Sequence, residues 1–202
     1  MKLTKGGFDI IRKSFGKLSE SQVSAFNHIV SAMDADKSIT YPQGAYILAT
    51  TWHETATIMQ PIAEYGKGKG RIYGTWYKNS KNQLYTFKDG SKTTAYLSDD
   101  YPHLYYGRGY VQLTWFNNFK KASEKLNHDF LNNPDDVMQI EHATNILLLG
   151  MKEGWFTGRK LSDYISQSKK DYLNARRIIN GMDKASLIAG YAETFEKALR
   201  SY

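Results

Sequence analysis

Residues 42–58 read Pro-Gln-Gly-Ala-Tyr-Ile-Leu-Ala-Thr-Thr-Trp-His-Glu-Thr-Ala-Thr-Ile. Pro42 suits a first helical turn, and the run from Ala45 is mostly apolar, so the pattern predicts a helix from about Pro42 to about Ile58. Pro61 stops it or marks the exit, because proline cannot continue a helix. Near the end of this helix stands Glu54, within Trp52-His53-Glu54-Thr55-Ala56. A carboxyl in apolar surroundings keeps its proton toward neutral pH, which is what a general acid requires. Against this stands the ordinary reading of a helical Glu as a surface residue. His53 beside Glu54 also invites a metal reading, but no second His lies at metallopeptidase spacing.

Helical signals dominate outward from this stretch. Ser19-Glu20-Ser21-Gln22 has capping-box spacing, and Val23, Phe26, Ile29, Val30 and Met33 follow at helical intervals. Further helices are expected at about Asn117–Leu126, Pro134–Trp155, Asn174–Asn180 with Gly181 as its cap, and Asp183–Leu199. Residues 66–104 differ. Gly66, Gly68, Gly70, Gly74 and Gly90 are interleaved with β-prone Tyr and Thr, and Gln83–Phe87 and Thr93–Leu97 flank Asp89-Gly90, which reads as a hairpin. The class is mainly α (α+β): one catalytic domain over residues 1–202, with a small β lobe at about 66–104 and a cleft suited to a polymer.

The chain has 202 residues, 41% of them hydrophobic, enough for one sizeable core. Cysteine is absent, so no disulfide framework and no thiolate metal site exists. Lys and Arg number 27 against 20 Asp and Glu, a net charge of +7 that favours an acidic partner. The positive charges are spread, and no recognition helix or zinc-finger spacing is present, so nucleic acid is not expected. No apolar run reaches signal-peptide or transmembrane length, and a chain made in the cytoplasm without a signal peptide is expected.

The second carboxylate is Glu64, in Gln60-Pro-Ile-Ala-Glu64-Tyr65-Gly66. It follows the break at Pro61 and need not share Glu54's helix. Hydrolysis of a glycosidic bond needs two carboxyls, one on each side of the bond. The local alternative pairs Glu64 with Lys67, Lys69 or Arg71. A third constellation is Tyr105-Tyr106-Gly107-Arg108-Gly109-Tyr110-Val111-Gln112-Leu113-Thr114-Trp115. Gln112, Thr114 and Asn118 suit sugar hydroxyls or acetamides. Tyr106, Tyr110 and Trp115 offer stacking faces, and Arg108 suits a carboxylate.

The string Tyr105–Trp115 resembles the signature of family 19 glycoside hydrolases, the class that includes plant chitinases. Trp52–Ala56 resembles that family's motif for the catalytic acid, and Ile178-Ile-Asn-Gly181 its later motif whose Asn lines the cleft. The order and approximate spacing of the three agree. Residues 3–12 (LTKGGFDIIR), the string before Glu64, Gly154–Gly158 (GWFTG) and residues 191–201 (YAETFEKALRS) resemble phage endolysins of this family, so the likeness covers nearly the whole chain. The resemblance implies a lysozyme-like two-lobed fold, with Glu54 as general acid, Glu64 as general base and Thr114 holding the water. It places Gln112, Asn118 and Asn180 on substrate; Tyr106 and Arg108 are candidate substrate contacts from the residue types alone. It also implies inversion, with the carboxyls roughly 6.5–9.5 Å apart.

The chain departs from the plant pattern. Plant enzymes have many more residues between their two acids than the step from Glu54 to Glu64. Their last helix carries an Arg that contacts the acid, whereas this chain has none there before Arg200, leaving Arg108, Arg176 or Arg177 as substitutes. The favoured function is an endolysin-like lysozyme acting on bacterial peptidoglycan in the periplasm after release. The runner-up is a chitinase acting on N-acetylglucosamine polymers. A sugar-binding module and a metallopeptidase rank below them. Two carboxylates and a water suffice, so no cofactor and no metal is expected. A monomer is the default. The last helix, with nearly balanced charges, reads as core packing, and weak contact with an anionic outer-membrane surface is the one membrane role left open.

Overall fold

The computed structural model describes residues 1–69, 71, 73, 84–86, 92–96, 101–166 and 168–201. The fold is mainly helical. In chain order it comprises α1 (Lys5–Phe15), α2 (Glu20–Ala35), α3 (Tyr41–Glu54), β1 (Ile62–Ala63), β2 (Leu84–Thr86), β3 (Lys92–Tyr96), β4 (Arg108–Gly109) and α4 (Phe116–Leu126). A 3-10 turn (Pro134–Met138), α5 (Ile140–Glu153), α6 (Leu161–Tyr164), a second 3-10 turn (Asn174–Ile178) and α7 (Ala185–Leu199) complete it. These residues form two compact units, Met1–Gln60 with Leu147–Tyr202, and Pro61–Ile146.

The first unit is built around α3, which packs on α2 and α7; α7 packs in turn on α1. Every residue of α3 from Gly44 to Trp52 is buried. Ser19 and Gln22 form the expected capping box of α2, and Thr40 and Gln43 form another at α3, each satisfying backbone N–H groups that a helix start leaves free. Phe15, Phe26, Trp52 and Phe195 make one aromatic cluster: Trp52 stacks on Phe26 at 5.9 Å and meets Phe195 edge-on at 6.1 Å. Each such contact adds about 0.5–1.5 kcal/mol beyond area burial. α7 is therefore a core helix, as its charge balance implied.

In the second unit, β1 pairs antiparallel with β4, Ile62 opposite Gly109 and Ala63 opposite Arg108. β2 pairs antiparallel with β3, Leu84 opposite Tyr96 and Thr86 opposite Lys92. This agrees with the expected hairpin; its turn at Asp89-Gly90, like Gly70 and Gly74, lies outside the described residues. α4 buries Phe119 and Ala122, and Phe119 packs against the buried Tyr105 with ring centroids 5.1 Å apart.

Three helix predictions need correction. α3 ends at Glu54, not near Ile58, because Ala56, Thr57 and Met59 turn left-handed (φ 48°, 71° and 57°). Pro134–Trp155 is two elements: Gln139 is extended (ψ 135°), and its side-chain amide donates to Asp136 Oδ1 at 2.9 Å. The Asn174–Asn180 helix is a short 3-10 turn ending at Ile178, entered through Asp171, whose carboxylate accepts from the Asn174 backbone N–H (3.0 Å) and side-chain amide. Two helices carried no prediction, α1 and α6.

Candidate active site

Glu54 is the last residue of α3, and the turn after it is tightly specified. The Thr55 hydroxyl donates to the Thr51 carbonyl (2.7 Å) and accepts from the Met59 N–H (3.0 Å), while the Thr57 N–H donates to the Trp52 carbonyl (2.8 Å). A carboxylate at the negative end of a helix is electrostatically disfavoured. A cation meets it there: Arg176 Nη1 lies 2.5 Å from Glu54 Oε1. Arg176 is 4% exposed and Glu54 16% exposed. Arg176 Nε also donates to the Asp183 carbonyl at 3.1 Å, which fixes the plane of the guanidinium. Of the three arginines left open by sequence, Arg176 is therefore the one paired with Glu54. Arg177 is exposed, and Arg108 is engaged elsewhere.

Around this pair, His53 is half-buried. Burial holds its imidazole below the usual histidine range, Arg176 and Lys184 push the same way, and Glu54 and Asp183 oppose them. His53 is thus the neutral form at pH 7. Tyr46 is fully buried and stacks on Tyr172 at 5.9 Å; burial pushes the Tyr46 phenol well above its ordinary range, with Arg176 and Glu54 both near enough to act on it. Asn180 is exposed on the same segment as Arg176, its side-chain oxygen accepting from the Gly181 N–H at 2.8 Å.

Glu64 directly follows β1. Its N–H donates to the Gly107 carbonyl (2.7 Å), and its Oε2 accepts from the Gly107 N–H (3.1 Å), so one glycine holds both its backbone and its carboxylate. A Cβ at 107 would lie 2.7 Å from Gln112 Oε1, so any larger residue there displaces the end of the Gln112 side chain. Gln112 Nε2 donates to the Ile62 carbonyl at 3.0 Å, Thr114 Oγ1 donates to the Gln112 carbonyl at 2.7 Å, and Asn118 Nδ2 donates to the Thr114 carbonyl at 2.8 Å. Gln112, Thr114 and Asn118 therefore form one hydrogen-bonded row anchored on the strand that leads to Glu64. Gln112 and Trp115 hold positive φ (52° and 76°), a backbone strain that clusters at functional sites and costs about 1–3 kcal/mol per residue.

Tyr73 was not singled out from sequence. Its ring meets Trp115 edge-on at 4.8 Å, and burial, then the neighbouring Glu64 charge, push its phenol up. Nothing in the glycine-rich stretch around it marks it in sequence, since its position depends on the Tyr105 N–H donating to its carbonyl at 2.6 Å.

Tyr106 and Arg108 are both buried. The Arg108 guanidinium lies over the Tyr106 ring at 3.5 Å, pairs with Asp135 through Nε (2.6 Å), and donates to the Leu104 and Tyr106 carbonyls through Nη1. With His103, Asn132, Asn133 and Asp135 they line a cavity of about 360 Å³. Tyr110 is 1% exposed with no partner for its hydroxyl among the described residues, so it offers no stacking face; Trp115, 37% exposed, does. Among the described residues, no three His, Cys, Asp or Glu side chains are grouped as metal ligands, and no helix is long and apolar enough to cross a membrane.

The family model described as chitinase class I, of the family 19 glycoside hydrolases, matches residues 20–150. Among solved structures, the chain resembles chitinase C from Streptomyces griseus HUT6037 with a TM-score of 0.56 and 20% identity, over 95% of this chain and 75% of that one. It resembles a class IV chitinase of the same family from Zea mays with a TM-score of 0.54 and 18% identity, over 97% and 91% of the two chains. A bacterial family 19 chitinase gives a TM-score of 0.51 and 21% identity, over 99% and 96%. These likenesses establish the fold. No curated protein matches the chain. The class defined by the family match is a glycoside hydrolase. Within that class the chain belongs to glycoside hydrolase family 19.

Proposed function

We propose that the chain cleaves β-1,4 glycosidic bonds of bacterial peptidoglycan by a single displacement with inversion, and so lyses bacteria. The observation that carries the reading is Glu54, ending a buried helix with its carboxylate against the buried Arg176. Glu54 gives its proton to the leaving glycosidic oxygen, and the carboxylate left behind meets a guanidinium already in place. Glu64 takes a proton from water, and the water oxygen attacks the anomeric carbon from the opposite face. The Thr114 hydroxyl already donates to the Gln112 carbonyl. Its oxygen is therefore free to accept, so it orients one O–H of the water while Glu64 receives the other. Gln112, Asn118 and Asn180 hold the sugar, and Trp115 stacks on it.

The net charge of +7 and the resemblance of the chain's ends to phage endolysins support an anionic wall as substrate. On this reading the protein acts on the wall after release from the cytoplasm. A second reading, chitin, is favoured by the family description and by the similar structures, which are chitinases. Mass spectrometry of purified sacculi and of chitin oligomers, each digested by native protein and by Glu54→Gln, separates the two. Soluble muropeptides with new reducing ends, absent with Glu54→Gln, are the expected result. Cleavage of chitin with intact sacculi would replace the first reading by the second, and peptide-bond cleavage would overturn both.

A further inference from the structure

Helical threonines have a standard outlet for a buried hydroxyl, the carbonyl four residues earlier. Thr51, Thr55, Thr144 and Thr194 all use it, donating to Ile47, Thr51, Ile140 and Gly190 at 2.7–3.2 Å. Thr50 does not. It is 1% exposed, and its hydroxyl makes no hydrogen bond among the described residues. An unmade hydrogen bond in the interior is costly, and valine would fill the same space without that cost. The group therefore calls for an explanation.

Its place on α3 supplies one. Tyr46, Thr50 and Glu54 are spaced by four and share one face of the helix. Helical side chains lean toward the N-terminus, so a second rotamer of Glu54 brings its carboxyl back over Thr50. The Tyr46 phenol on the same face feels the charges of Arg176 and Glu54 and touches the Thr50 hydroxyl only weakly, short of a well-formed hydrogen bond, which places all four groups in one neighbourhood. In the structure the Glu54 carboxylate is turned to Arg176, an arrangement suited to its charged form. A general acid also has to exist as a neutral carboxyl, which gains least from a guanidinium and needs a neutral partner.

We propose that Thr50 is a positioning residue for the acid, its hydroxyl receiving the neutral carboxyl of Glu54. Glu54 then has two seats: Arg176 when charged after proton transfer, and Thr50 when protonated before it. The inference rests on Glu54 being the general acid. It explains why a buried hydroxyl without a well-formed hydrogen bond stands one turn from that residue.

The test measures kcat, KM and melting temperature for native protein, Thr50→Val, Thr50→Ser and Glu54→Gln, on whichever polysaccharide the native protein cleaves. One neutral hydrogen bond to the acid corresponds to about three- to tenfold in rate. Thr50→Val is expected to lose about that much kcat with KM unchanged, while melting about 2–5 °C higher because an unpartnered buried hydroxyl is gone. Thr50→Ser is expected to restore kcat to within about threefold of native. Native kcat in Thr50→Val overturns the proposal, as does Thr50→Ser impaired as much as Thr50→Val. Full activity of Glu54→Gln would overturn the assignment of the acid itself, a separate failure.

Discussion

Replacing Arg176 by methionine keeps most of the side-chain length and removes the charge. In the native structure both members of the pair are largely out of water, Arg176 at 4% and Glu54 at 16% exposure, with 2.5 Å between them. Removing one partner of a buried ion pair costs about 3–5 kcal/mol, because the other charge stays buried without compensation. Glu54 retains some access to water and the Asp183 carbonyl lies on an exposed residue, so the low end applies, about 3 kcal/mol. For a chain of this length each kcal/mol moves the melting temperature by about 2–4 °C, so Arg176→Met should melt about 6–12 °C below native. Adding Glu54→Leu should recover much of that loss, since the pair is then replaced by apolar groups of similar size. Calorimetry at pH 7 on the native protein, both single variants and the double variant measures the coupling. An Arg176→Met protein that melts within about 2 °C of native would mean that the Arg176–Glu54 pair does not stabilise the fold.

Gly107→Ala places a Cβ 2.7 Å from Gln112 Oε1 and should push the Gln112 amide aside, lowering hydrolysis while melting changes by only a few degrees; unchanged activity would mean that the position of the Gln112 amide is dispensable. Gly7→Ala sets two effects against each other: alanine is about 1 kcal/mol better in a helix, but the new Cβ would sit 2.6 Å from the Ala198 backbone carbonyl, and overpacking costs about 1–3 kcal/mol. The clash should win, and urea denaturation should show net destabilisation. For Glu196, burial is the largest single influence and raises its pKa, but hydrogen bonds from Lys170, Tyr172 and Arg200 together hold it below the ordinary range. A lowered folded value adds stability above the unfolded value of about 4.3 and loses it as pH falls through the folded one. Native protein should therefore lose melting temperature more steeply than Glu196→Gln on acidification below about pH 4.3, and parallel curves would contradict the assignment.

Much of the fold was legible where local signals and tertiary packing agree. The capping residues Ser19 and Gln22, followed by apolar positions at helical spacing, located α2. Alternating β-prone residues located the β2–β3 pairing. α1 escaped because Gly6 and Gly7 weaken its start, and what forms it is the close approach to α7 that Gly7 permits. The end of α3 escaped because no proline or glycine marks it; three left-handed residues tied back by Thr55 do. At the site, the residue types and motif order singled out Glu54, Glu64, Gln112, Thr114 and Asn118. The choice among arginines was not legible, since Arg176 and Arg177 are adjacent and only the 3-10 turn decides which is buried. The role of Tyr73 depends on backbone contacts between distant residues and leaves no mark in the local pattern.

The proposed mechanism has Glu54 and Glu64 act as acid and base on one β-linked glycosidic bond, with water attacking directly. Proton NMR of the reducing end at the earliest times of digestion tests it, with native protein on a soluble substrate that it cleaves and Glu64→Gln as the control. The first-formed product is expected to be the α anomer, and Glu64→Gln is expected to form little product. A β anomer formed first would mean retention, and would contradict direct attack by water.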